Sequence, residues 1–98
     1  MIPLNAILRA KPGQADVLAR ALMEIGQYVE AKEPGTLGFY IGRNTDDPLV
    51  FNTYERFVDH EAMDAHNESA YREKWGAKYG ALFEGDIKRY ICEEIFSK

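Results

Sequence analysis

The chain has 98 residues, a formal net charge of −4 and 29% charged residues, spread without long runs. Lacking a basic stripe, it is unsuited to nucleic acid, and no apolar run approaches the ~20 residues that span a bilayer. A single domain over residues 1–98 is expected, and because a chain this short hides only part of its surface alone, a partner subunit would help it.

The N-terminal "MIPLNAILRAKPG" lacks the charged start, long apolar middle and cleavage site of a signal peptide, so a cytoplasmic protein is expected. Ile2 to Ala10 is apolar and runs into "KPG", the pattern of a first strand and a turn. From Gln14 to Lys32, Val17, Leu18, Ala21, Leu22, Ile25, Tyr28 and Val29 recur every three or four residues, the stripe of an amphipathic helix. Gly26 weakens it locally, and "EPG" at Glu33 to Gly35 ends it, since Pro34 cannot extend the hydrogen-bond ladder.

Thr36 to Arg43 alternates as a strand, with Leu37, Phe39 and Ile41 on one side and Gly38, Tyr40 and Gly42 on the other. After the turn "NTDDP", Leu49 to Phe57 returns antiparallel. Asp59 is suited to cap a short helix through His66, and Ser69 a second helix carrying Tyr71, Trp75, Tyr79 and Leu82. Gly85 closes that helix, and Asp86 to Phe96 reads as a last strand, with Ile87, Ile91 and Ile95 on one face and Tyr90 and Cys92 on the other. Cys92, the single cysteine, has no internal disulfide partner, which fits a reducing compartment. With no cation beside it, it is expected to be packed and inert.

The order β-α-β-β-α-β is the ferredoxin-like α+β arrangement, a four-stranded antiparallel sheet with helices on one face. Such a sheet ordinarily turns a polar second face to water. Here Tyr40, Val50 and Tyr54 oppose Leu37, Phe39 and Ile41, so both faces are apolar or aromatic. A second copy of the sheet is the economical cover, and a homodimer is expected.

The segment "EPGTLGFYIGRNTDDPLVFNTYERFVDHEAMDAHNES" resembles the antibiotic biosynthesis monooxygenase family. The likeness lies in "EPG" before a glycine-spaced strand, a D/P turn, a strand ending Glu-x-aromatic, and then "D-x-E-A-x-x-x-H-x-x-S". It implies a dimeric α+β barrel in the cytoplasm, with a pocket between sheet and helices in each subunit. Members include cofactor-free monooxygenases of quinols and polycyclic phenols, an isomerase of a phosphorylated autoinducer, and haem-degrading enzymes. Departures narrow this. The polyketide-oxidising members carry Asn and Trp where this chain has Thr53 and Phe57, and Asn52, one residue off, points to the opposite face. Asn5 resembles the first-strand Asn of the haem-degrading members, but Tyr71 to Phe83 holds no histidine for iron, so no haem or other cofactor is expected.

The resemblance therefore implies an oxidoreductase, a cofactor-independent monooxygenase that oxidises a small quinol-like or phenolic aromatic with O₂. The alternatives are an isomerase or lyase acting on a small carbonyl compound, and a small-molecule binding protein without turnover. The oxygenase and isomerase readings need a base near neutral pKa and an apolar cavity. His66, sharing its helix face with Ala62 and Met63, is the candidate catalytic base. It could equally pack at the helix end against a backbone carbonyl or Glu55. Asn5, mid-strand in apolar company, could orient a substrate oxygen or bond the neighbouring strand. Phe39, Thr53 and Phe57 are counted with the substrate site. Tyr71 and Trp75 would wall it by stacking, although such a stripe also serves as core, as Tyr79 is expected to. Glu55 is expected in an inter-subunit ion pair with Arg43 rather than as a pocket carboxylate, and Arg9, Arg43 or Lys78 would meet an acidic substrate. No phosphate loop, metal-ligand spacing or Ser-His-Asp order is present.

Overall fold

The structure, a computed structural model, describes residues 1–98. Eight elements follow in chain order: β1 (Ile2–Arg9), α1 (Ala15–Lys32), β2 (Thr36–Arg43), β3 (Val50–Phe57), α2 (His60–Asn67), α3 (Ala70–Tyr79), a 3₁₀ turn (Gly80–Leu82) and β4 (Lys88–Ile91). The strands pair antiparallel in the order β2-β3-β1-β4, the ferredoxin-like α+β fold.

Register decides which side chains meet the helices. Ala6 pairs with Thr53, and Thr53 with Ile41. Leu4, Ala6 and Leu8 of β1 and Phe51, Thr53, Glu55 and Phe57 of β3 are buried on the helical side. The α1 stripe closes over them with Leu18, Ala21, Leu22, Ile25 and Val29. Gly26 has a structural use there: a Cβ in its place would sit 3.4 Å from Ile41 Cδ1, so its absence lets α1 lie close against β2. The Trp75 indole N–H donates to the Ala21 carbonyl at 2.8 Å, tying α3 to α1. Two apolar clusters result. A larger one contains Leu8, Leu18, Leu22, Phe51 and Trp75, and a smaller one Leu4, Ala6, Phe57 and Met63. Along β3, Thr53 and Glu55 fall between Phe51 of the first cluster and Phe57 of the second.

The caps are where the chain pattern places them. The Asp59 carboxylate accepts the Ala62 N–H at 2.8 Å, and the Ser69 hydroxyl accepts the Arg72 N–H at 3.0 Å. Three local expectations are corrected. The last strand covers Lys88–Ile91 rather than Asp86 to Phe96, because its partner β1 begins at Ile2 and the chain beyond Cys92 runs past it. Leu37 does not join Phe39 and Ile41. A bulge between Thr36 and Gly38 takes it out of the alternation and leaves it exposed. Cys92 is exposed rather than packed, since it falls just past β4 on the sheet face away from the helices, beside Asn5.

Gly35 sits where the start of β2 passes α2, and a Cβ there would lie 2.8 Å from Ala62 Cβ. Gly35→Ala therefore has to push the two elements apart and is expected to destabilise the fold by about 1–3 kcal/mol. Urea unfolding checks it; an unchanged midpoint would show that the approach is slack.

Candidate functional site

The gap between the two apolar clusters is filled by a buried polar group assembled from three elements. Glu33 comes from the C-terminal end of α1, Glu55 from β3 and His66 from the last turn of α2. Pro34 disfavours helical geometry at Glu33, and the backbone there turns to φ −121°, ψ 81°. The stop signal thus also carries the Glu33 side chain out of the helix.

His66 is 4% exposed, and each ring nitrogen faces a different carboxylate. Nδ1 lies 2.7 Å from Glu33 Oε1 and Nε2 3.2 Å from Glu55 Oε1. The far oxygen of Glu55 accepts the Thr53 hydroxyl at 2.7 Å, and Glu33 accepts the Thr36 hydroxyl at 2.9 Å. Phe57 and Phe39 pack their rings 5.4 and 5.8 Å from the imidazole centre. A neutral imidazole has one N–H, so only the imidazolium can donate to both carboxylates. Burial by itself pulls the His66 pKa down, but the hydrogen bonds and charges of Glu55 and Glu33 outweigh it, and the net shift is upward from 6.5. The position in the last turn of a helix also favours a cation. The carboxylates sit at opposite edges of the ring, so the group is a proton-sharing chain rather than a cage for a metal.

A pocket opens onto this chain. Ala6, Leu8, Leu22, Ile25, Phe83 and Ile87 supply apolar walls. Phe39, Thr53, Glu55, His66 and Trp75 line it with Asn67, Arg72 and Arg89. The space open to the centre of a water molecule is about 40 Å³. That is room for about three waters, against the about 150 Å³ of an engineered cavity that takes up benzene. A ring can enter only if side chains at the solvent side swing away, and there Arg89 is exposed and Arg72 half-buried.

Of the residues singled out in the sequence, His66, Phe39, Thr53 and Trp75 converge on this pocket. The others lie elsewhere. Asn5 pairs with Tyr54 and Tyr90 on the far face of the sheet, its amide 3.7 Å from the Cys92 sulfur. Phe57 is fully buried behind His66, in the smaller cluster. Tyr71 stacks on Tyr28 with ring centres 3.8 Å apart and donates its hydroxyl to the Glu24 carbonyl, facing α1 rather than the pocket. Glu55 is a pocket carboxylate after all: β3 parity buries it beside His66, while Arg43 pairs with Asp16 at 3.0 Å within the same chain. Arg9 is held by Asp47 at 2.6 Å, and Lys78 lies over the Tyr79 ring. None of these three cations reaches the pocket; Arg72 and Arg89 do. Both were legible in principle. Arg72 stands three residues before Trp75 on the same helix face, and Arg89 has the strand parity of the core residue Ile87. Glu33 gave no local signal beyond its place in the stop sequence.

The imidazole should titrate with a midpoint above 6.5 by NMR, and Glu33→Gln should lower it. Because the folded-state pKa is raised, the stabilisation is complete below pH 6.5 and lost as pH rises through the folded-state midpoint. Tm of the wild-type chain should fall across that window, and His66→Gln should remove that part of the slope. A midpoint at or below 6.5 would contradict the two-carboxylate account.

Comparison with known proteins follows the same lines. The family model described as antibiotic biosynthesis monooxygenase matches residues 1–78. No curated protein sequence matches the chain significantly. Among solved structures, a Nitrosomonas europaea protein named for that monooxygenase family superposes with a TM-score of 0.87 at 22% identity, covering 98% of this chain and 100% of its own. A similarly named Caulobacter crescentus protein gives 0.91 at 22% identity, covering 97% and 90%. One from Deinococcus radiodurans gives 0.84 at 21% identity, covering 100% and 98%. At such identities these structures establish the shared fold.

Proposed function

Because this chain belongs to the antibiotic biosynthesis monooxygenase family, we propose that it is an oxidoreductase that oxygenates a small phenolic or quinol-like aromatic with O₂ and without a cofactor. The observation that carries this reading is the Thr53–Glu55–His66–Glu33 chain, which brings a carboxylate and its proton-sharing partner to the wall of an otherwise apolar pocket. His66 has both nitrogens engaged, so it acts through Glu55 rather than on the substrate directly. Glu55 takes the phenolic proton. The buried imidazolium stabilises the chain's second carboxylate and keeps Glu55 oriented.

The resulting phenolate passes one electron to O₂, giving an aryloxyl radical and superoxide. These combine at the activated ring carbon, and the proton returns to form a hydroperoxide. Loss of that carbon's hydrogen as a proton, with cleavage of the O–O bond, leaves a quinone carbonyl and water. One oxygen atom enters the product and the other leaves as water, so the four electrons taken by O₂ all come from the ring. Phe39 and Trp75 flank the ring, and the apolar walls keep water from the reactive intermediates. The same carboxylate could remove a proton next to a carbonyl, the isomerase or lyase alternative, and a pocket that only binds would show neither reaction.

The reading includes a homodimer. On the sheet face away from the helices Ile7, Tyr40 and Tyr90 are exposed, and Tyr40 stacks obliquely on Tyr54 at 6.1 Å. A second copy of this face is the cover with matching chemistry. Sedimentation at micromolar concentration should give twice the chain mass, and Ile7→Glu should shift it to the monomer; a monomeric wild-type chain would sink the assembly.

Oxygen uptake with a panel of hydroquinones separates the oxygenase from both alternatives. Glu55→Gln, which keeps the shape but not the negative charge, should slow uptake by about 100-fold, with folding checked by circular dichroism. Unchanged uptake would remove Glu55 from the chemistry.

A further inference from the structure

Two guanidinium groups reach the pocket, and neither has an acidic partner. Arg72 projects from the first turn of α3 and Arg89 from β4, where it pairs in register with Ala6 beside Thr53. The other pairs within 4.0 Å consume Arg9, Arg43, Arg56, His66 and the N-terminus, and neither Arg72 nor Arg89 takes part in any of them. Arg72 is not free to wave in solvent. Its guanidinium lies over the Trp75 ring, 5.3 Å from the centroid, a contact that holds the planar group at the pocket wall. Gly76, one turn on, leaves it room: a Cβ there would sit 3.3 Å from Nη1.

Partial burial of Arg72, with Arg89 as its like-charged neighbour, lowers its pKa, and the Glu55 charge offsets only part of that. The local charge balance points the same way. Two carboxylates and one imidazolium leave a single negative charge, and two arginines turn the site net positive by one. A monoanion neutralises it.

We infer that the Arg72–Arg89 pair at the mouth of the pocket is a receptor for a carboxylate on the aromatic substrate, with the ring lying inward between Phe39 and Trp75. The inference rests on the oxygenase reading for the orientation of the ring, but its recognition chemistry is separate from turnover. Arginine's planar fork matches a carboxylate with two parallel hydrogen bonds. Binding there would also draw the exposed Arg89 off the mouth while Arg72 stays against Trp75, which helps the ring to enter the about 40 Å³ space. The substrate class is thus a hydroxybenzoate-type acid rather than a neutral quinol.

Anaerobic titration calorimetry with 2,5-dihydroxybenzoate, its methyl ester and 4-hydroxyphenyl phosphate tests this. The acid should bind the wild-type chain about tenfold or more tightly than the ester, with an affinity that falls as salt rises. Arg89→Gln, at an exposed position, and Arg72→Gln, each with folding checked by circular dichroism, should bring the acid to the level of the ester. Arg72→Lys should keep part of the preference. Equal binding of acid and ester, absence of binding by both, or a preference that survives both glutamine variants would overturn the inference. Tighter binding of the phosphate ester than of the acid would overturn the carboxylate assignment. Oxygen uptake by the same compounds keeps the two proposals apart. Acid-selective binding without uptake would defeat the oxygenase reading alone, and uptake with no acid preference would defeat the carboxylate receptor alone.

Discussion

The structure depends on how a charged imidazole is kept inside a small core. An unpaired buried charge is costly, and removing one partner of a buried ion pair destabilises by on the order of 3–5 kcal/mol. His66 avoids that cost because carboxylates from two separate elements meet its two nitrogens. Each carboxylate is in turn held by a threonine hydroxyl two or three residues away, Thr53 for Glu55 and Thr36 for Glu33. No buried side-chain nitrogen or oxygen lacks a hydrogen-bond partner. The polar chain therefore links the end of α1, the start of β2, β3 and the end of α2, and ties their relative positions to one proton-sharing group.

This chain also divides the core. Leu8, Leu22, Phe51 and Trp75 pack on one side of it, and Leu4, Phe57 and Met63 on the other. A continuous apolar core would have been the simpler way to stabilise 98 residues. The polar seam instead leaves a tight, partly filled space against Thr53, Glu55 and His66, with two arginines on its solvent side. The Thr53, Glu55, His66 and Glu33 side chains are thus fixed by one another's hydrogen bonds, whereas the solvent side is closed by two long arginine side chains with no acidic partner within 4.0 Å. That division suits a site that needs fixed proton geometry but must admit and release a guest.

Family membership and the superpositions agree on the scaffold. Thr53 and Phe57 stand where polyketide-oxidising relatives are expected to carry Asn and Trp. In this structure Thr53 serves as a hydrogen-bond donor to Glu55, and Phe57 as a packing wall for the imidazole. Thr53 keeps a place on the pocket wall, whereas Phe57 lies wholly behind the imidazole.

The residues alone determined a good deal. Strand alternation, the 3.6-residue stripe of α1, the Asp59 and Ser69 caps and the "EPG" stop are local signals, readable because backbone hydrogen bonding and burial impose short periods. Element order then led to the fold, and His66, Thr53, Phe39 and Trp75 were recognisable as pocket candidates. Asn5 was left between the pocket and the neighbouring strand, because an amide in an apolar strand says nothing about which face it takes until the register with Tyr54 and Tyr90 is known. Tyr71 was misplaced because its stripe has two edges, and packing against Tyr28 turned one of them to α1. Tertiary structure alone decided that Glu33 and Glu55, 22 positions apart in the chain, would close on one imidazole. It also decided that Arg72 and Arg89, rather than Arg9 or Arg43, would reach the pocket. A charged side chain carries no period of its own, and its partner is set by whichever distant element the fold brings within reach.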